Sequence, residues 1–224
     1  MIEWLLAPID PSRLHGVGMH LSWHGRVMVL AWAVLVPLGV VAARYFKVLP
    51  SQDWPNELDN RVWWFAHRGA QYLALALMLT GLWLILQVRG TTGSLTSQDW
   101  IHRYLGWGTL ALAANQFLSG WLRGSKGGPT DPRGVMRGDH YDMTRRRLIF
   151  EALHKTSGYV ALVFAVTAIL TGLWQANAPV YMWTGVLGWW GVLGGVIYVV
   201  SAHTKRVATY EAIWGPQSKP PSDP

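Results

Sequence analysis

The 224-residue sequence contains no cysteine. This absence excludes disulfide bonds, thioether-attached haem, iron–sulfur clusters and cysteine-ligated zinc, so any metal must be held by histidine, methionine or carboxylate. Charge is also scarce, because only 14% of the residues are Asp, Glu, Lys or Arg. No basic stretch precedes an apolar core at the start of the sequence, so we expect no cleavable signal peptide.

The chain is instead rich in apolar sequence without charge. Charge-free runs lie at 27–43, 69–88, 104–122 and 156–204, and the chain has 15 tryptophans. About 20 apolar residues in a helix span the hydrocarbon core of a bilayer. The last run is long enough for two helices and is broken at 175–179 by Gln-Ala-Asn-Ala-Pro. The sequence therefore predicts an all-α membrane protein with five transmembrane helices, at about 24–46, 61–88, 100–122, 148–174 and 180–203.

The predicted helices divide the chain into four parts. These are an N-terminal outer-face segment at 1–22, a four-helix core at 23–174, the fifth helix at 175–204 and a cytoplasmic tail at 205–224. Of the 19 lysines and arginines, 15 fall on the side of the C-terminus, including those of a polar loop at 123–147. The positive-inside rule then predicts an outer N-terminus and a cytoplasmic C-terminus. Because the cations flank the predicted helices, the net charge of +7 reflects membrane topology, and we expect no nucleic acid partner.

One histidine stands near the start of each of the first four predicted helices. Because consecutive helices run antiparallel, His24 and His102 share the outer edge, and His67 and His154 share the inner edge. Two imidazoles that face each other across a helical bundle suit the iron of a haem b. The pattern therefore predicts two haem b groups in a four-helix bundle. The alternative for any one histidine is an interfacial hydrogen bond, and His20, one turn earlier, competes with His24.

Cations accompany the candidate ligands. Arg26, Arg68, Arg103 and Lys155 follow the four histidines within two residues, and Arg44 ends the first predicted helix at the inner edge. Such groups pair with haem propionates or with an anionic electron donor. The alternative is that they extend to lipid headgroups.

The fifth predicted helix carries five glycines on a small-residue face. Such faces allow close packing between membrane helices. Packing against the chain's own bundle and contact with a second membrane protein both remain open. The glycines are Gly185, Gly188, Gly191, Gly194 and Gly195.

These motifs, in this order, resemble the cytochrome b561 family over about residues 23–174, especially the form joined to DOMON domains in eukaryotes. The matching positions are His24-Gly25-x-Val-Met28 with Trp32, Pro37, Gly39 and Ala43-Arg44-Tyr45; His67-Arg68 with Gln71 and Gly81; His102-Arg103-x-x-Gly106 with Gln116 and Arg123; and His154-Lys155-x-x-Gly158 with Gly172.

The resemblance implies a di-haem core that moves electrons across the membrane. Family members take electrons from ascorbate or similar donors and reduce ferric iron or monodehydroascorbate. We expect a stand-alone bacterial member in the cytoplasmic membrane, working as an oxidoreductase or electron-transfer cytochrome. Its partner would be a quinone, an ascorbate-like molecule or a periplasmic redox protein. The alternative is an accessory membrane subunit of a larger complex, in which the haems are secondary.

Overall fold

The computed structural model describes residues 2–88, 97–123, 145–204 and 206–216, in which helices are joined by turns and loops and there are no strands. Most of the basic loop at 123–147 and the end of the tail lie outside the described residues. We number the helices α1 (Ile2–Leu6), α2 (Met19–Tyr45), α3 (Val62–Leu86), α4 (Ser97–Leu122), α5 (Arg145–Gln175), α6 (Val180–His203) and α7 (Thr209–Trp214).

Four helices in the described part of the chain are long and apolar enough to cross a membrane, namely α2, α3, α5 and α6. This confirms the prediction of a helical membrane protein. The 26-residue helix α4 is not among them. It carries Asp99, His102 and Arg103 in its first two turns, and Asn115 and Gln116 later, so its mean hydropathy is lower. The count of five transmembrane helices therefore stays a prediction.

Helix α2 changes its winding at the middle of the membrane segment. Residues Leu30–Leu35 form a π-helical stretch between the α-helical parts Met19–Val29 and Val36–Tyr45. Pro37 follows this stretch and has no N–H to offer the carbonyl of Ala33, four residues earlier. The indole of Trp189 in α6 takes that place, with its Nε1 donating to the Ala33 oxygen at 2.7 Å. A proline that would weaken an isolated helix thus fixes α6 to the bundle.

The bundle is built from two antiparallel hairpins. In the first, the start of α2 contacts the end of α3, and the start of α3 contacts the end of α2. Helices α4 and α5 pair in the same way. The core between the hairpins consists largely of small side chains, which let the helices approach closely. Its buried alanines are Ala31, Ala33, Ala74, Ala113, Ala161 and Ala165.

The segment before α2 is fixed to the turn between α5 and α6. Asn177 in this turn is 2% exposed and has a positive φ of 44°. Its side chain accepts from the Asp10 N–H at 3.0 Å and donates to the carbonyls of Asp10 at 3.0 Å and Arg13 at 2.7 Å. Asparagine tolerates this left-handed conformation better than most residues do. The first residues are thereby held at the end of the bundle that carries His102.

Candidate haem site

The first hairpin holds its two histidines by the same contact at opposite ends. The Nδ1 atom of His24 lies 2.8 Å from the carbonyl oxygen of Gly81, and the Nδ1 atom of His67 lies 2.9 Å from that of Gly39. A carbonyl only accepts hydrogen bonds, so Nδ1 carries the proton in both rings. The lone pair of each neutral imidazole is then on Nε2, which is the form that binds a metal.

The second hairpin repeats this arrangement, with one difference. The Nδ1 atom of His102 lies 3.0 Å from the carbonyl oxygen of Ala168. The Nδ1 atom of His154 instead lies 3.4 Å from the hydroxyl oxygen of Ser119. Three of the four predicted ligands thus donate to a carbonyl, and His154 contacts a hydroxyl.

The two hairpins share a register that sequence reasoning missed. Gly81 follows His67 by fourteen residues, and Ala168 follows His154 by the same interval. In each hairpin the carbonyl at that position receives the histidine of the partner helix. Because the contact uses a backbone oxygen, side-chain identity does not report it. The recurring histidine near the helix start is the only sequence signal of this repeat.

The histidines of the two hairpins also lie near each other. His24 is close enough to His102 for an electrostatic interaction, and His67 is close enough to His154, which puts each pair at one end of the bundle. All four side chains are half-buried. Each pair therefore lies at the end of the bundle where the antiparallel order expects it, and ligation of an iron by these pairs stays a prediction.

The competing histidines lie elsewhere. His20 is exposed, one turn outside the hydrogen-bonded His24. His15 contacts the Ala176 oxygen at 2.7 Å in the turn after α5. His203 contacts the Val199 oxygen of its own helix at 2.8 Å. In the described residues, none of these three faces a second histidine by an interaction that the structure records.

The arginines that follow three of the candidate ligands lie at the rim of the bundle. Their side chains are exposed, and their guanidinium groups stack on tryptophan rings. Amphipathic groups at a membrane interface adopt this arrangement, so it favours contact with lipid headgroups. The distances from Cζ to the ring centre are 5.1 Å for Arg26 over Trp23, 5.5 Å for Arg68 over Trp64 and 5.8 Å for Arg103 over Trp100.

The remaining two predicted cations lie at the inner end. The Nζ atom of Lys155 lies 2.7 Å from Glu151, in an ion pair one turn apart. The half-buried Arg44 donates to the hydroxyl of Tyr159. Arg44 therefore links α2 to α5 beside the inner histidine pair.

Two further arginines reach the inner histidines, although sequence reasoning left them out of the predicted site. Arg147 is 5% exposed, and its guanidinium carbon lies 5.0 Å from the centre of the Phe150 ring, which contacts the His154 ring at 5.1 Å. Arg147 and Arg123 both lie close enough to His154 to interact with it electrostatically. The sequence signal is the spacing, because Arg147 precedes His154 by seven residues, or two helical turns on one face.

The inner end carries more positive charge than its carboxylates balance. Burial, together with Arg147 and Arg68, lowers the pKa of Arg123 to about 10. Burial lowers the pKa of Lys47 to about 8, although the nearby Glu151 opposes the shift. Burial is the main cause of both shifts, and neighbouring cations add to it, so a further positive charge is unfavourable here.

The donor set fits a haem. The porphyrin supplies four ligands, so the protein needs two neutral imidazole nitrogens per iron, which is what each pair offers. A Cβ built on Gly106, one turn after His102, meets no atom of the described residues within 4 Å. Among the described residues, no three His, Asp or Glu side chains cluster as ligands of a bare metal ion.

Fold and site together define a helical membrane protein with paired histidines at both ends of its bundle. Comparison with known proteins points to one family. A cytochrome b561, DM13 and DOMON domain-containing protein of Arabidopsis thaliana is 30% identical over 154 residues, which are 68% of this chain and 14% of the relative. Ferric-chelate reductase 1 of Homo sapiens is 27% identical over 194 residues, or 84% of this chain and 29% of the relative. The bovine ferric-chelate reductase 1 is 28% identical over 170 residues, covering 73% and 24%.

These relatives support the resemblance to the cytochrome b561 family, and with it haem, electron transport and oxidoreductase chemistry in a membrane protein. The chain spans less than a third of the length of each relative named above. No family model matches the chain. No solved structure matches it either.

Proposed function

We propose that the chain is a di-haem b-type cytochrome of the b561 type, which carries single electrons between the two faces of a membrane. His24 and His102 are the ligands of the outer haem, and His67 and His154 are those of the inner one. The observation that carries the proposal is the orientation of the four rings. Each Nδ1 atom is engaged by the adjacent antiparallel helix, so each Nε2 atom is available to an iron.

In this proposal helix α4 also spans the membrane, which brings the number of membrane-spanning helices to five. With 26 residues, its length lies within the range of 24 to 31 residues of the four apolar helices. Its polar residues are satisfied inside the hairpin, since the Gln116 amide nitrogen donates to the His154 carbonyl at 3.0 Å and to the Ser157 hydroxyl at 2.6 Å. A helix whose polar groups bond to its neighbour is tolerated in a bilayer even when its mean hydropathy is low.

When bound, haem b supplies an iron that alternates between the ferric and ferrous states. The chain's own residues orient the rings, exclude water from the alanine-rich core and place positive charge at the inner edge. Arg44, Arg123 and Arg147 are the groups we assign to the inner propionates. The exposed Arg26 and Arg103 are the corresponding candidates at the outer edge.

Orientation and partners follow from charge. With 15 of the 19 cations on one side, the positive-inside rule favours a cytoplasmic inner end, and the cytoplasmic membrane of a bacterium is the location that we propose. The excess positive charge at that end favours an anionic electron donor or acceptor, such as an ascorbate-like molecule. A quinone or a periplasmic redox protein is the candidate at the outer end. The ferric-chelate reductase relatives make a ferric chelate a further candidate acceptor.

One observation favours a second function, in which the chain is an accessory membrane subunit. A Cβ built on any of the five glycines of α6 meets no atom of the described residues within 4 Å, so this part of the chain leaves the small-residue face uncovered. A helix of a larger complex would fit there. Co-purification with a stoichiometric membrane partner, and loss of that partner when Gly188 and Gly191 are replaced by leucine, would favour this function.

The test is haem stoichiometry in ligand variants of the purified protein. We expect two haem b per chain by reduced-minus-oxidised spectra. His102→Ala and His67→Ala should each leave one haem, whereas His20→Ala should leave two. A wild-type protein with no haem, or unchanged haem in both ligand variants, would refute the proposal.

A further inference from the structure

The four predicted ligands differ in what accepts their Nδ1 protons. The acceptors of His24, His67 and His102 are backbone carbonyls at 2.8, 2.9 and 3.0 Å. The acceptor of His154 is the Ser119 hydroxyl at 3.4 Å. The difference is chemical as well as geometric, because a hydroxyl can rotate and a carbonyl of a helix cannot.

The hydroxyl proton of Ser119 is already used. It is donated to the carbonyl of Gln116 at 3.2 Å, one turn earlier in α4. The remaining lone pairs of the oxygen therefore face His154, which acts as the donor. In the tautomer that binds a metal through Nε2, His154 donates its Nδ1 proton to Ser119 through a longer and weaker bond than those of the other three rings.

The strength of such a bond changes how well an imidazole donates electrons to iron. An acceptor at Nδ1 gives the ring partial anionic character, which stabilises the ferric state and lowers the reduction potential. A weak acceptor does less. The charges of Arg147 and Arg123 at His154 act in the same direction as a weak acceptor, and the charge of Glu151 opposes them only in part. Both effects raise the potential of the inner site relative to the outer one.

We propose that Ser119 is a positioning residue that tunes the inner haem, by offering His154 a hydroxyl where the other three ligands have a carbonyl. This rests on the proposed function, because it assumes that His154 binds an inner haem. The inner haem then has the higher reduction potential of the two. The reduction potential of the inner haem therefore depends on the side chain at position 119. We expect it to be highest when that side chain offers no acceptor, lower with a hydroxyl and lowest with a carboxylate.

The test is a redox titration in which the two haems are separated. His102→Ala removes the outer haem, so the remaining signal belongs to the inner one. In that background we expect Ser119→Ala to raise the ratio of ferrous to ferric haem about three- to tenfold at fixed ambient potential. A tenfold change corresponds to about 59 mV for one electron. Ser119→Thr, which keeps the hydroxyl, should leave the potential unchanged, and Ser119→Asp should lower it.

A matched control exists at the outer site. The Oγ1 atom of Thr171 lies 3.4 Å from the Nδ1 atom of His102, the same distance as at the inner site, but the Ala168 carbonyl is present as well. Thr171→Val in the full-length di-haem protein should therefore move the outer potential less than Ser119→Ala moves the inner one.

The outcomes separate the two proposals. If both haems are retained and none of the Ser119 variants shifts the inner potential, the role of Ser119 is wrong while the di-haem function stands. If the wild-type protein binds no haem, the function itself fails. If Ser119→Ala loses the inner haem, the reduction potentials of Ser119→Thr, Ser119→Asp and the protein with Ser119 decide. Equal potentials in these three would overturn the inference.

Discussion

Gly172 lies where one added methyl group would act directly on a proposed haem ligand. A Cβ built on this residue of α5 would come within 3.0 Å of Cε1 of His102 and within 3.4 Å of its Nδ1 atom. The imidazole cannot rotate away freely, because its Nδ1 atom is bonded to the Ala168 carbonyl of the same helix. Cε1 lies between the two ring nitrogens, so any shift of this atom also moves Nε2. Gly172→Ala should therefore misplace the outer ligand.

The size of the effect follows from the contact. Restoring an ordinary separation of 3.4 to 4 Å requires the ring to move by about 0.5 Å, which is the tolerance of a preorganised site. Overpacking of this kind costs about 1–3 kcal/mol. The cost appears when haem binds, because only the bound state requires the ring in its original place. It corresponds to an outer-haem affinity about 5- to 150-fold lower.

The assay is haem content and haem release from the purified protein. We expect the haem per chain of Gly172→Ala to fall from two toward one, and the remaining haem to disappear when His67→Ala is added. Gly188→Ala is the matched control, since its Cβ meets no atom within 4 Å while its gain in helix propensity is the same. Two tightly bound haems in Gly172→Ala, with release rates equal to those of Gly188→Ala, would refute the reasoning.

Three further predictions concern the frame that holds the site. Trp189→Phe removes the donor to the Ala33 carbonyl and should lower the free energy of unfolding by about 1–3 kcal/mol. The control is Trp183→Phe, which should have little effect because the Trp183 N–H has no acceptor in the described structure. Equal losses of stability in thermal unfolding would contradict this prediction. Asn177→Ala and Asn177→Gly both remove three hydrogen bonds, but only alanine is strained at the positive φ of this position. Limited proteolysis should therefore cleave the first residues faster in Asn177→Ala than in Asn177→Gly. Equal cleavage rates would argue against the strain. Lys47 has a pKa of about 8 in the fold and an ordinary value of 10.5, so unfolding takes up a proton between these pH values and stability rises with pH across that window. Lys47→Met should flatten this rise in thermal unfolding, and an unchanged slope would exclude Lys47 as its source.

The class of protein could be predicted from the sequence because it depends on composition over long windows. Charge-free runs of about 20 residues have few alternatives to membrane helices, and four of the five predicted helices meet that criterion in the structure. The remaining predicted helix, α4, shows what hydropathy alone does not reveal. Its Asn115 and Gln116 lower its mean hydropathy, and only the contacts with Ser157 and the His154 carbonyl on α5 show how these groups are satisfied.

The four histidines could also be selected from the sequence, because one residue type recurs at one end of successive helices. Alternating helix direction sorts them into two pairs without any coordinates. The accompanying cations were harder to choose. Adjacency to a histidine selected Arg26, Arg68 and Arg103, but neighbours along a helix point in different directions, and these three lie at the rim. Arg147, two turns from His154, is the buried one.

The sequence by itself determined the membrane class, and it predicts the four candidate ligands and their pairing, since these depend on composition, periodicity and helix direction. Only the tertiary structure decided what holds each ring. The acceptors are the carbonyls of Gly39, Gly81 and Ala168 and the hydroxyl of Ser119, and each belongs to a different helix from the ring that it orients. Backbone atoms are the same in every residue, so the sequence carries no mark of which carbonyl meets which histidine. That choice is made when the two helices of a hairpin pack together.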